Sequence, residues 1–327
     1  MVKMEKKVFL IISLVLLTLF IVGCNGTNGA DGPSEVNYRT GTQGLTLEFP
    51  TDTPTEIYEN DQDVRFSVNV RNKGAFPQSD ERADFRGKLW IGGYDERILQ
   101  IYPRLSSSIA QGVNLDGDEL EGVSPYNLNG GYSTIEFQMN VGELPNGMPY
   151  YDPKIIITTS YLYKTLASPM ICIDPEPRST KVREKVCEIQ QSISPGTQGA
   201  PISISSIEED VTSTDFLFKI YIDNVGGGLI IPESQIDSNP NEGYDWRDLN
   251  KVMIEEVSVG NVRMTECRPS IGREVQLMDG KGYIFCRLDK SVAGGKAYET
   301  PLNVKLSYGY TSSSQKDIEI FEEVSFK

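Results

Sequence analysis

Two sets of side chains in this 327-residue chain could do chemistry, and both are sparse. The first is an oxygen-rich loop, Asp237-Ser-Asn239-Pro-Asn241-Glu-Gly243-Tyr-Asp245-Trp-Arg-Asp248. Asp237, Asn239, Asn241, Asp245 and Asp248 fall at positions 1, 3, 5, 9 and 12 of a twelve-residue frame, where a calcium loop places oxygen ligands. Glu242 stands where that loop needs Gly, and Asp248 replaces its bidentate Glu. Ca2+ is thus the one cofactor the sequence offers, against the alternative of a polar inter-strand loop. Asn114-Leu-Asp116-Gly-Asp118-Glu119 is a second acidic loop. The second set is Cys172, Cys187, Cys267 and Cys286, which suit two disulfides in an exported chain. A four-cysteine zinc site normally shows Cys-x-x-Cys knuckles, and none occurs here. There is no histidine, which removes Ser-His-Asp and Cys-His machinery and the usual zinc and copper ligand sets.

The fifth cysteine, Cys24, ends a different pattern. Lys3, Lys6 and Lys7 form a basic start, and Val8 to Val22 is apolar except for Ser13 and Thr18. That is a secretory layout. The run is short for a spanning helix, which needs about 20 residues. Ile21-Val22-Gly23-Cys24 resembles the lipobox of prokaryotic lipoproteins, which implies that residues 1–23 are removed and Cys24 carries the lipid. The alternatives are an uncleaved N-terminal anchor and simple secretion. All three place the remainder outside the cytoplasm, with the lipid or anchor holding it at the outer face of the cell membrane.

The chain carries 46 Asp and Glu against 31 Lys and Arg, a net charge of −15. Such a surface repels nucleic acid, so no nucleic-acid partner is expected. Most of these carboxylates read as solvated surface. No Gly-rich phosphate loop opens a helix; Gly226-Gly227-Gly228 follows a strand and reads as a turn. There are 16 tyrosines. Tyr126, Tyr132, Tyr150 and Tyr151 lie near Gly, Asn and Pro, and Tyr244 and Trp246 lie within the calcium-like loop. That mixture suits contact with proteins or glycans, and equally the core and edges of a sheet. Trp90, alternating between Leu89 and Ile91, reads as core.

The elements that would position these residues are strands. Residues 24–40 are rich in Gly, Asn and Pro and read as a flexible tether. Beyond them, Leu45–Phe49, Val64–Arg71, Lys88–Ile91, Ile98–Tyr102, Tyr132–Val141 and Ile155–Tyr163 alternate with period two or form short apolar runs. The second half repeats the first. Phe66 to Gly74 matches Phe218 to Gly226, both closing on Asn-x-Gly. Gly131-Tyr132 matches Gly282-Tyr283, and Ser160-Tyr161-Leu-Tyr163 matches Ser307-Tyr308-Gly-Tyr310, in the same order. Two copies of one fold are predicted, 41–174 and 200–327. Val70 should match Ile222, Tyr132 Tyr283, and Tyr161 Tyr308. Segment 175–199 is the linker; Val182, Val186 and Ile189 at helical spacing predict a short amphipathic helix there. This division favours local pairs among three possible connectivities, Cys172–Cys187 stapling the linker and Cys267–Cys286 joining two strands of the second copy.

Short strands of this number and spacing predict an all-β chain of two tandem immunoglobulin-like β-sandwich domains after the N-terminal signal or anchor segment. Val68-Asn-Val70-Arg-Asn72-Lys-Gly74, Phe85-Arg-Gly-Lys-Leu-Trp90 and Ile220-Tyr-Ile222-Asp-Asn224-Val-Gly226 resemble the strands of CARDB-type domains, the cell-adhesion-related Ig-like modules of prokaryotic surface proteins. The resemblance implies a non-enzymatic surface protein that uses its domains for adhesion, envelope assembly or binding of other surface proteins or glycans. The alternative is a solute- or glycan-binding lipoprotein that delivers its ligand to a membrane partner. An aromatic-lined pocket between the domains would favour that alternative.

Overall fold

Period-two alternation of apolar residues builds nearly every long element of this chain. A computed structural model describes residues 37–104, 111–179 and 185–323. Cys24, the tether before residue 37, and Val182 lie outside the described residues. The first half contributes β1 (Leu45–Glu48), β2 (Glu56–Tyr58), β3 (Val64–Asn72), β4 (Gly87–Gly92), β5 (Leu99–Pro103), β6 (Val113–Asn114), β7 (Tyr132–Val141), β8 (Tyr150–Tyr151), β9 (Lys154–Ala167) and β10 (Met170–Ile173). The second contributes β11 (Ser192–Ile193), β12 (Ile202–Val211), β13 (Asp215–Asn224), β14 (Ile230–Ile231), β15 (Lys251–Val259), β16 (Val262–Arg263), β17 (Glu266–Arg268), β18 (Glu274–Gln276), β19 (Lys281–Asp289), β20 (Tyr298–Asp317) and β21 (Glu319–Phe321). On β3, Phe66, Val68 and Val70 are buried while Arg65 and Arg71 face water. On β13, Phe216, Phe218, Ile220 and Ile222 do the same.

The two halves share one strand order. In the first, β1-β3-β7-β5 form an antiparallel sheet; in the second, β12-β13-β19-β17 do, with β11 added outside β12. Lettered in chain order, each is the A-B-E-D sheet of an immunoglobulin-like sandwich. The opposite sheet should hold strands C, F and G. Each half supplies C and F, as β4 with β9 and as β15 with β20. Each takes its third strand from the other half, because β9 and β20 pair antiparallel from Lys154↔Asp317 to Ala167↔Val304. One central sheet results, in the order β16-β15-β20-β9-β4-β6, and Asn37–Lys327 forms one compact unit. The segments read as tandem domains, 41–174 and 200–327, are therefore joined through a shared sheet as well as through their linker.

The pairing has approximate two-fold symmetry. Tyr161 lies opposite Tyr310 and Tyr163 opposite Tyr308, about the central pair Leu162↔Gly309. These four tyrosines are buried in the sandwich interior, with neighbouring ring centroids 5.8–6.3 Å apart. Their hydroxyl partners repeat. Tyr161 Oη accepts from Leu45 N at 3.2 Å, and Tyr308 Oη accepts from Ile202 N at 3.3 Å. Leu45 and Ile202 occupy matching positions, opposite Asn72 and Asn224. Across the axis, Tyr161 bonds Ser312 and Tyr308 bonds Thr165. A buried tyrosine is stable only with its hydroxyl paired, and here each half completes the other's. Burial pushes the phenols of Tyr161, Tyr163 and Tyr308 well above their usual range, and that of Tyr310 to about 12.

This arrangement explains the repeated Asn-x-Gly. Tyr163 Oη lies 3.5 Å from Asn72 Oδ1, and Tyr310 Oη donates to Asn224 Oδ1 at 2.9 Å. Two residues on, a Cβ at Gly74 would sit 1.8 Å from Tyr163 Oη, and one at Gly226 would sit 2.6 Å from Tyr310 Oη. The asparagine binds the tyrosine and the glycine leaves it room.

One expectation is corrected. Tyr132 and Tyr283 lie on matching strands and both face water, but not at matching positions. Tyr132 pairs with Arg71, whereas Tyr283 pairs with Tyr221, whose counterpart is Asn69. The two tyrosines are thus offset by two residues, which keeps the face, since side chains alternate. Of the linker, 180–184 lie outside the described residues, so the expected helix is not described; 185–191 carry no helix, and Val186 is exposed. Cys187 is bonded to Cys172, and Lys185 meets the Asp174 carboxylate.

Candidate functional site

Alternation decides what the A-B-E-D sheets show to solvent. On β13, burying Phe218, Ile220 and Ile222 turns Leu217, Lys219 and Tyr221 outward; on β19, burying Ile284 and Cys286 turns Tyr283 and Phe285 outward. Register then sets Tyr221 opposite Tyr283 and Lys219 opposite Phe285. Lys219 Nζ lies 4.7 Å from the Tyr221 ring centroid and 4.8 Å from that of Tyr283. The Tyr221 side chain holds this ammonium above its usual range, with Glu208 adding to the effect. Tyr283 is 53% exposed. An ammonium over two aromatic faces is attracted to both ring quadrupoles, which favours this arrangement of the exposed rings.

The first half carries a related group. Arg71 on β3 lies over the Tyr132 ring of β7, 5.4 Å from its centroid. Tyr132 Oη donates to Asn69 Oδ1 at 2.7 Å, and Thr134 Oγ1 donates to the same oxygen at 3.1 Å. Thr46, Leu47, Glu48, Asn69, Arg71, Lys73 and Tyr132 line a recess of about 510 Å3. Neither Arg71 nor Lys73 has an ion-pair partner among the described residues. The two-fold axis runs perpendicular to the central sheet, so both aromatic–cation faces lie on the same side of it.

The cysteines pair as Cys172–Cys187 and Cys267–Cys286. The first fixes the linker to β10, and the second crosses directly between β17 and β19, where the two residues are in register. The calcium-like loop does not gather its oxygens. Asp237 meets Lys88 at 3.3 Å, Asp245 is clasped by Arg247 at 2.6 Å, and Asp248 meets Lys251 at 3.5 Å. Asn239 Oδ1 caps Asn241 N, and Asn241 Nδ2 donates to the Ile91 carbonyl. Tyr244 reaches Ser160. The loop thus lies against β4 and β9 of the first half, as a clamp across the axis. In the other acidic loop, Asp118 meets Arg82 and Asp116 caps Asp118 N. No group of three or more Cys, Asp or Glu among the described residues could hold a metal ion.

Trp90 is buried, as expected. Tyr126 is almost fully exposed in its loop, and Trp246 is largely exposed. The recess between the halves, about 300 Å3, is walled by Gly226, Gly227, Gly228, Ser312 and Ser313, with Tyr310 its one aromatic. The alternation of β12 conceals one further group. Glu209 points inward, is 4% exposed, and neither carboxylate oxygen has a hydrogen-bond partner among the described residues. Burial alone pushes its carboxyl up to about 8.

No protein-family model matches this chain, and no curated protein does. Among solved structures, the C-terminal domain of the Streptococcus agalactiae AgI/II polypeptide BspA is 9% identical; the match covers 86% of this chain and 100% of that one, with a TM-score of 0.17. The E. coli chaperone DraB is 12% identical over 87% of this chain and 100% of its own, with a TM-score of 0.18. Likeness at these scores carries no argument about function.

Proposed function

We propose that this chain is a membrane-anchored, extracytoplasmic, non-enzymatic protein that binds a cell-surface partner through the outer faces of its A-B-E-D sheets. The observation that carries the reading is Lys219 held over Tyr221 and Tyr283 on an open sheet face, with Arg71 over Tyr132 on the corresponding face of the other half. Exposed aromatics ordered by hydrogen bonds or a cation present contact area at low entropic cost, which suits recognition. A body stiffened by a shared sheet and two disulfides keeps both faces in a fixed relation. The anchor is the Cys24 lipid implied by the lipobox resemblance. The solute-delivery alternative has less to rest on, since the recess between the halves offers a single aromatic, Tyr310.

The test has two readouts. Cys24→Ala should move the protein from the membrane fraction to the medium or leave an unprocessed precursor. The released Cys24→Ala protein, added back to cells, should be retained on their surface; with Tyr132→Ala and Tyr283→Ala added, it should keep its melting temperature and lose that retention. Undiminished retention in that variant would remove the binding faces from the proposal.

A further inference from the structure

We propose that the recess beside Tyr132 binds a carboxylated sugar unit of an acidic surface polysaccharide, an inference that rests on reading these sheet faces as binding surfaces. Three observations converge on that chemistry. The first is charge. In a chain of −15, this recess brings Arg71 and Lys73 together against the single carboxylate of Glu48. Both cations lack an ion-pair partner among the described residues, so an incoming carboxylate displaces no salt bridge. A guanidinium and a carboxylate match as a two-point hydrogen-bonded pair.

The second is the ordered ring. Tyr132 is 46% exposed, yet its hydroxyl is committed to Asn69 and Arg71 lies over it. The ring is therefore a fixed apolar platform, of the kind that packs against the C–H face of a pyranose. Asn69 spends its oxygen on Tyr132 and Thr134, so its amide N–H groups are what it can offer a sugar hydroxyl. Glu48 can accept from another.

The third is size. About 510 Å3 lies within the range of small-ligand clefts and accommodates a saccharide unit or two. A protein partner would need a broad face of roughly 800 Å2 per side.

The experiment titrates the full chain, purified in mild detergent, with a galacturonic acid tetramer and with the neutral galactose tetramer, at roughly 50 mM and 500 mM NaCl. The expected result is binding of the acidic oligomer, at least about tenfold tighter than the neutral one and weakened at the higher salt. Arg71→Gln with Lys73→Gln should cost about tenfold or more for the acidic oligomer and little for the neutral one, with an unchanged melting temperature. Tyr132→Ala should weaken both. Equal binding of the two oligomers, no binding of the acidic one, or binding indifferent to these substitutions would overturn the inference. If the acidic oligomer fails while surface retention still depends on Tyr132 and Tyr283, the broader binding reading survives. If retention is also indifferent to them, both fall.

Discussion

Glu209 is the residue whose environment most contradicts its type. It occupies the inward row of β12 between Ile207 and Val211, opposite Phe218 on β13. The inward residues of the neighbouring strands are Ile193 on β11, Phe216 and Phe218 on β13, Ile284, Cys286 and Leu288 on β19, and Cys267 on β17; none titrates, the two cysteines being bonded to each other. Its folded carboxyl titrates at about 8 against an ordinary 4.5. The folded state therefore keeps a proton that the unfolded chain releases, and stability falls as pH rises from near 4.5 to near 8, then levels off. Each unit of such a shift corresponds to about 1.4 kcal/mol, so the total loss is on the order of a few kcal/mol. Glu209→Gln should flatten the dependence and raise the melting temperature at pH 8 far more than at pH 4.5. Melts of both proteins across that range check it. A wild-type profile that is flat, or that rises toward pH 8 with the same slope as the variant, would disprove it.

Among elements, the linker is pinned by covalent chemistry as well as by packing. Residues 185–191 have no helix or strand; they are held by the Cys172–Cys187 bond, by Lys185 on Asp174, by Ile189 against the core and by the Gln191 carbonyl, which accepts from Glu209 N. A loop of this length should contribute about 3 kcal/mol by restricting the unfolded chain. Cys172→Ser with Cys187→Ser should lower the midpoint of denaturant unfolding accordingly, and the reductant-treated wild type should shift further, because Cys267–Cys286 then opens too. The strands themselves are legible in the sequence because one buried face imposes strict alternation, as Phe66, Val68 and Val70 do on β3. The cysteine pairs followed from placing each cysteine in a half. Other features depend on register, which no local pattern encodes. Tyr132 and Tyr283 lie on matching strands and faces, but two residues of register separate their positions. Lys219, Tyr221 and Tyr283 converge only once β13 is set beside β19. The Asp237 loop was read for its own oxygens, whereas its side chains serve Lys88 and the Ile91 carbonyl of the other half. The Asn-x-Gly repeat was visible, but its meaning required the tyrosines of a distant strand.

At the scale of the whole molecule, the exchange of F strands makes the halves interdependent. Cut apart, 41–174 would lose the strand beside β9, and 200–327 would lose the strand beside β20. Tyr161 and Tyr308 would each lose a hydroxyl partner across the axis. The first half would also lose β21, which runs between β2 and β8 in a small three-stranded sheet. Each fragment would then present a long unpaired edge, β9 rich in Ile, Thr and Tyr and β20 rich in Ser, Tyr and Leu, a template for association. Expressed alone, neither segment should give a cooperative melt as a monomer, while the two expressed together should recover a one-to-one complex with tyrosine absorption resistant to alkaline titration, the mark of the buried quartet. Gel filtration, thermal melts and that titration measure all three. A monomeric, cooperatively melting half would show that its six strands suffice and that the shared sheet is a contact between finished domains. Failure of both alone with recovery together would instead show the pseudo-two-fold body to be the folding unit. That unit fixes the Arg71–Tyr132 and Lys219–Tyr283 faces on one side of the central sheet, so a single extended partner could meet both.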